Sequence, residues 1–363
     1  MPAIDYYFDI LLDKGGSDLH LSVGHPATIR VKGELVHIDR SALDERKIRH
    51  LMDELLDVSQ QEYFHAHRDL DFAYGYEDKA RFRANYLYKT TGPGAVFRTI
   101  PSEILTAEKL GLPEAIIKLA ERRSGLVLVT GPTGSGKSTT LAAMLDHINR
   151  HRDAHILTIE DPVEFVHRPR KCQITHREVG IHTPSFADAI RSAGRENADV
   201  ILVGELRGRE TMKMALQLAS FGVLIFATVH TNSAPATIDR FVNAFPASQQ
   251  PQIRGMLADS LAGIVAQQLL RRADGSGRVA AQEILIGTSG VASAIREGKT
   301  TMLQSLIQGG GSIGMQSIDA VLAQLVAKGT VSPHDALEKA SDKDTFAKLP
   351  QVATALQGDS LAP

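Results

Sequence analysis

Gly131-Pro132-Thr133-Gly134-Ser135-Gly136-Lys137-Ser138-Thr139 fits the pattern G-x-x-x-x-G-K-[ST] directly behind the apolar run Leu126-Val127-Leu128-Val129-Thr130. An apolar strand, a glycine-rich turn and then an amphipathic stretch over 141–148 form the setting in which this motif binds phosphate. The glycines let successive backbone N–H groups curl around phosphate oxygens, Lys137 reaches the β and γ phosphates, and the Ser138 hydroxyl holds Mg²⁺. A helix starting near Lys137 adds the positive end of its dipole. Residues 131–139 are therefore expected to bind a nucleoside triphosphate.

Composition narrows the remaining choices. A chain of 363 residues with 43% hydrophobic side chains is long enough for two or three domains with real cores. Forty Lys and Arg against 42 Asp and Glu leave no global charge to draw the chain to nucleic acid or acidic lipid. The run His167-Arg168-Pro169-Arg170-Lys171 reads as a solvated basic loop. Cys172 is the only cysteine, which excludes an internal disulfide framework and a four-cysteine zinc site. No apolar run approaches 18 residues, and Met1-Pro2-Ala3-Ile4-Asp5 does not open a secretory leader. A cytoplasmic protein without direct membrane insertion is expected.

Outward from the loop, the chain divides near Pro101. Before it, period-two alternation predicts strands over 18–23, 28–31, 35–38, 70–76, 81–88 and 95–100, with a hairpin turn at Lys32-Gly33-Glu34 and one helix over 43–57. This describes a small antiparallel α+β domain over 1–100. A Pro- and Gly-punctuated linker, 101–112, follows. From 113 to 363, strands at 126–130, 155–159, 200–203, 223–229 and 279–286 alternate with helices, which predicts an α/β domain with a parallel sheet, closing in C-terminal helices from about 288. Gly309-Gly310-Gly311 marks a break among them, and the Pro-ended tail reads as weakly structured. Ligands of such sheets sit at the carboxyl ends of the strands.

Those ends carry the chemistry expected of hydrolysis. Glu160-Asp161-Pro162-Val163-Glu164 supplies carboxylates to orient or deprotonate water beside the γ-phosphate, with Glu164 the first candidate and Glu160 the second. Val200-Ile201-Leu202-Val203-Gly204-Glu205 is a Walker B strand ending in Glu rather than Asp, so Glu205 joins Ser138 as a Mg²⁺ candidate. Thr228, His230 and Thr231 follow the next strand, where His230 can sense nucleotide. Charge on the transferring phosphoryl group also needs arginine. Arg81, Arg83 and Arg98 lie on strands of the first domain, the first two on one face.

With these residues in place, the chain resembles the secretion ATPases. Gly131 to Ser138, Thr158 to Phe165, Ile201 to Arg207 and Thr228 to Thr231 look like their Walker A, Asp box, Walker B and His box. Ser17-Asp18-Leu19-His20-Leu21-Ser22, Gly94 to Pro101 and Gly309-Gly310-Gly311-Ser312-Ile313-Gly314-Met315-Gln316 are similar to the type IV pilus retraction ATPases, the PilT and PilU group. The resemblance implies a PAS-like N-terminal domain joined to a RecA-like domain, and a homo-hexameric ring binding ATP at subunit boundaries. It further implies that Arg81, Arg83 and Arg98 close over nucleotide, that the linker hinges, and that motion passes to an inner-membrane pilus platform protein at the base of the pilus. A paralogous retraction ATPase is a further candidate partner. The single cysteine and the absence of an extra N-terminal region favour retraction over extension. Two positions depart from the group's pattern. Gly222-Val223 stands where Gly-His is usual, and 290–297 keeps only the second half of the segment Ala-Ile-Arg-Asn-Leu-Ile-Arg-Glu. Accessory or extension work, a weakly hydrolysing regulatory subunit, and a small-molecule or nucleic-acid kinase stand as the alternatives.

Overall fold

The computed structural model describes residues 2–31, 33–77, 79–100, 103–350 and 352–354. Lys32 of the expected hairpin turn, Pro101 and Ser102 of the expected linker, and the tail from 355 lie outside them. Two compact units emerge, one of Met1–Glu103 with Pro162–Val166, the other of Ile104–Asp161 with His167–Pro363.

The first unit is an antiparallel sheet of six strands: β1 (Asp18–Ser22), β2 (Thr28–Val31), β3 (Glu34–His37), β4 (Asp69–Tyr76), β5 (Ala80–Lys89) and β6 (Gly92–Ile100), in the order β3-β2-β1-β6-β5-β4. Alternation decides its faces. Leu19, Leu21, Phe82, Ala84, Tyr86, Ala95 and Phe97 turn to the buried side, where the helix Asp5–Asp13 lays Phe8 against them. Phe8 stacks on Phe82 at 4.3 Å between ring centroids and meets Phe97 edge-on at 5.1 Å. The intervening residues, Asp18, Arg81, Arg83 and Arg98 among them, therefore occupy the opposite face.

The helix expected over 43–57 forms over Glu45–Asp53, and a further, unexpected helix follows it over Val58–His67. Asp57 starts this second helix: its side chain accepts from Gln60 N and the Gln60 side chain accepts from Asp57 N, a capping box. The second helix buries only Phe64, so periodicity does not reveal it.

The second unit is built on seven strands: β7 (Gly125–Thr130), β8 (His155–Glu160), β9 (Gln173–Glu178), β10 (Val200–Val203), β11 (Leu224–Val229), β12 (Leu261–Arg271) and β13 (Arg278–Ile286), ordered β13-β12-β7-β11-β10-β8-β9. Every pairing is parallel except β12 with β13. Leu126, Leu157, Ile201 and Ile225 belong to one apolar cluster and Val127, Ile156, Leu202 and Phe226 to another. Alternate residues of each strand thus feed opposite faces, and both faces are covered by helices. The first cluster packs under the helices Arg209–Ser220, Ala234–Asn243 and Gln250–Ser260, the second under Glu114–Ala120 and Lys137–His151. Two strands, β9 and β12, add to those expected.

Candidate functional site

Between β7 and the helix Lys137–His151 the chain takes a left-handed backbone at three glycines, Gly131, Gly134 (φ +77°) and Gly136. Gly131 has φ +145°, and a Cβ there would lie 2.2 Å from the Gln267 carbonyl oxygen; Gly136 has φ +84° at the helix entrance. Lys137 is buried, and its Nζ donates to the carbonyls of Gly131 and Pro132 at 3.0 Å each, so the ammonium folds over the loop. Ser138 and Thr139 are half-buried in the first helical turn, and Pro132, Thr133 and Gly134 are exposed. The Ser135 and Thr130 hydroxyls are buried, and neither oxygen has a hydrogen-bond partner among the described residues.

The sheet order then sets the other groups side by side. β11 lies next to β7, β10 next to β11 and β8 next to β10, so their carboxyl ends present His230, Glu205 and Glu160 in that spatial sequence beside the loop. Gly204 N donates to the Ile159 carbonyl at 2.8 Å, and the Thr228 hydroxyl donates to the Gly204 carbonyl, which anchors the turn carrying Glu205. Glu205 Oε2 accepts from Arg207 Nε at 2.8 Å, while Oε1 lies 3.4 Å from His230 Nε2. The carboxylate is thus oriented from both sides. Thr231 Oγ1 sits 2.7 Å from Thr237 Oγ1, at the start of the next helix. Glu160 is buried, and its carbonyl accepts from Val179 N at 2.9 Å. Glu164 is half-buried in the segment that falls with the first unit.

Among the described residues no cluster of three or more His, Cys, Asp or Glu could hold a metal ion. Sparse oxygen donors, Ser138 and Glu205, suit a hard cation that keeps waters and takes phosphate oxygens, as Mg²⁺ does.

In the first unit, the arginines form part of a cross-strand row. Register places Arg30 opposite Asp18, Asp18 opposite Arg98, and Arg98 opposite Arg83. Asp18 accepts from Arg98 Nε and the Ser17 hydroxyl at 2.9 and 2.7 Å. Burial opposes its charge, but these bonds outweigh burial and hold its carboxyl below the usual range. Arg83 Nη2 reaches Asp71 at 3.6 Å, and Arg81 Nη2 donates to the Val163 carbonyl at 3.4 Å within the same unit.

Buried His167 and half-buried His176 form a second arrangement. His176 Nε2 accepts from His167 N at 3.2 Å, so neutral His176 carries its proton on Nδ1, toward Thr158 Oγ1 at 2.8 Å. His167 is pushed down to about 4, chiefly by burial and secondarily by His176. Its neutral form is the one the fold accepts, so its contribution is complete above the unfolded value near 6.5 and is lost as pH falls through about 4. Urea melts at pH 7.5 and pH 4 should therefore differ by about 3 kcal/mol more in the parent than in His167→Asn. An equal pH dependence in both would refute this.

Gln267 is the site residue that sequence reading does not reach. It lies on β12, a strand the helix Gln250–Ser260 enters without a turn signal. The amide pair Gln267-Gln268 inside an apolar run is the signal that could have marked it.

The family described as Type II/IV secretion system protein matches residues 11–333. Over 333 residues the chain is 48% identical to the type IV pilus retractation ATPase PilT of Pseudomonas aeruginosa, covering 92% of this chain and 96% of that one. A twitching motility protein of Neisseria gonorrhoeae is 45% identical over 318 residues, 88% of this chain and 85% of its own. The crystal structure of the pilus retraction motor PilT with bound ADP superposes with a TM-score of 0.89 at 39% identity, covering 96% of this chain and 100% of that one.

Proposed function

Since the chain belongs to the Type II/IV secretion system protein family, we propose that it is a Mg²⁺-dependent ATPase motor that retracts type IV pili and so drives twitching motility. The observation that carries this is the delivery of Lys137, His230, Glu205 and Glu160 to neighbouring carboxyl ends of one parallel sheet, in a chain that matches a retraction ATPase over nearly its whole length. The loop 131–139 binds the phosphates of ATP, with Lys137 exchanging its carbonyl partners for β- and γ-phosphate oxygens. Ser138 and Glu205 hold Mg²⁺, which supplies charge neutralisation on those oxygens when bound. Glu164 or Glu160 orients the attacking water, and His230, beside Glu205, registers the state of the γ-phosphate.

Hydrolysis works in a homo-hexamer whose N-terminal arginines, Arg81, Arg83 and Arg98, act on nucleotide of a neighbouring subunit. Its motion passes to an inner-membrane platform protein from the cytoplasmic side, with a paralogous retraction ATPase as a second partner. No helix among the described residues is long and apolar enough to cross a membrane. The relatives named for retraction and twitching favour this direction over extension, and the acids at the strand ends favour turnover over a silent sensor.

In a pilated host lacking its own retraction motor, the gene should restore twitching and lower the number of surface pili. Extra pili, or no change in either, would overturn the proposed direction.

A further inference from the structure

Behind the phosphate-binding loop, three glutamines form a hydrogen-bonded row. Gln267 on β12 and Gln282 on β13 are 2% and 4% exposed, and the antiparallel register sets them directly opposite one another. Gln267 Nε2 donates to the Ser135 carbonyl at 2.7 Å. Its Oε1 accepts from the Thr140 hydroxyl and from Gln282 Nε2, both at 2.8 Å. Gln316 Nε2 in turn donates to the backbone carbonyl of Gln282 at 2.7 Å, and Gln316 exchanges backbone bonds with Ile284 at 2.9 and 3.2 Å.

Both lone pairs of the Gln267 oxygen are engaged by donors, so the amide can point only one way, with its N–H toward the loop. That direction matters for the loop. Its N–H groups must converge on phosphate, which turns a carbonyl such as that of Ser135 outward into protein, where an unpaired oxygen would be costly. Gln267 meets that carbonyl. It also abuts the loop sterically, since a Cβ on Gly136 would come within 2.9 Å of Gln267 Nε2. Apolar side chains of similar volume would fill the same space between sheet and loop without the cost of burying amides. What the amides add is direction.

The outer end of the row is equally confined. Gly314 has φ +92°, and a Cβ there would meet Ala115 Cβ at 2.7 Å; a Cβ on Gly310 would meet Met315 Sδ at 2.5 Å. The segment Gly309-Gly310-Gly311-Ser312-Ile313-Gly314-Met315-Gln316 therefore delivers Gln316 to a single place.

We propose that Gln267 is a positioning residue for the phosphate-binding loop, and that Gln282 and Gln316 carry its orientation back to the glycine-rich segment at 309–316. Through this row the C-terminal part of the second unit sets the affinity of the loop for nucleotide. The inference rests on the nucleotide-binding reading above.

The test uses the full-length protein with a fluorescent N-methylanthraniloyl-ADP titration and steady-state ATP hydrolysis. Gln267→Met should weaken ADP binding about tenfold and raise KM for ATP by a similar factor, with kcat falling less than about threefold, because the acids at the strand ends are untouched. Gln282→Met should weaken binding about threefold, since Thr140 still holds the Gln267 oxygen. The double variant should bind no more weakly than Gln267→Met alone, because Gln282 acts only through Gln267. Unchanged ADP affinity in folded Gln267→Met, or losses that simply add in the double variant, would overturn the row as a relay. Should Gln267→Met not fold, the same cycle on Gln282→Met and Gln316→Met decides it, with non-additive weakening expected and additivity or no effect against it. A parent protein that binds no ADP analogue would instead refute the nucleotide-binding reading itself.

Discussion

Alanine in place of Lys137 is expected to lower ATP hydrolysis by about 10²- to 10³-fold, the scale on which removing one preorganised donor to a developing charge is felt. The residue is buried, and its ammonium is already folded over the loop by the Gly131 and Pro132 carbonyls, so little reorganisation separates this arrangement from one that grips phosphate. Alanine removes the charge and takes this donor from the buried Gly131 carbonyl and from the Pro132 carbonyl at the exposed edge of the loop. Lys137→Arg should fail nearly as badly, by about 10²-fold, because a planar fork cannot take the place of a compact ammonium in the tight turn between Gly131 and Gly136. The measurement is phosphate release by purified protein alongside its thermal midpoint. Hydrolysis at the parent rate by either folded variant would show that the loop is not the catalytic phosphate site.

Glu205→Gln is expected to lower hydrolysis by about 10²-fold while ADP binding persists and the Mg²⁺ concentration for half-maximal rate rises. The substitution keeps the shape of the side chain and removes only its charge. The Arg207 and His230 contacts that orient the carboxylate then lose their ionic partner. Arg207 is well exposed, so water replaces the pairing and stability should change by less than about 1 kcal/mol. The two effects separate by titrating Mg²⁺ at saturating ATP. A Glu205→Gln protein with the parent rate and parent Mg²⁺ dependence would remove Glu205 from the site.

Legibility tracked how local each signal is. The phosphate loop, the strand β10 with its terminal acid, and the strand β11 before His230 each lie within one short run of apolar residues followed by a polar group, and the structure builds each where the run stands. β9 was hidden because its residues Gln173-Ile174-Thr175-His176-Arg177-Glu178 are mostly polar, as an edge strand permits. β12 was hidden for the opposite reason. Ser260 ends a helix and Leu261 begins a strand with no glycine, proline or polar break between them, and only the pairing with β7 decides where the helix stops. At Asp57 the capping box was readable from Asp57 and Gln60, yet the apolar period running through Leu55 and Leu56 masked it.

The sequence by itself determined that a glycine-rich loop of the phosphate-binding pattern follows a buried strand, that acids and a histidine end the strands after it, and that arginines alternate on a sheet of the first unit, because each of these is a matter of residue type at short spacing. The tertiary structure alone decided that His230 and Glu205 become neighbours, that Asp18 lies between Arg30 and Arg98, and that Gln267 backs the loop from more than a hundred residues away in the chain. Those juxtapositions follow from strand order and register, which are set by how apolar faces share one core, a cooperative outcome that no local window of sequence contains.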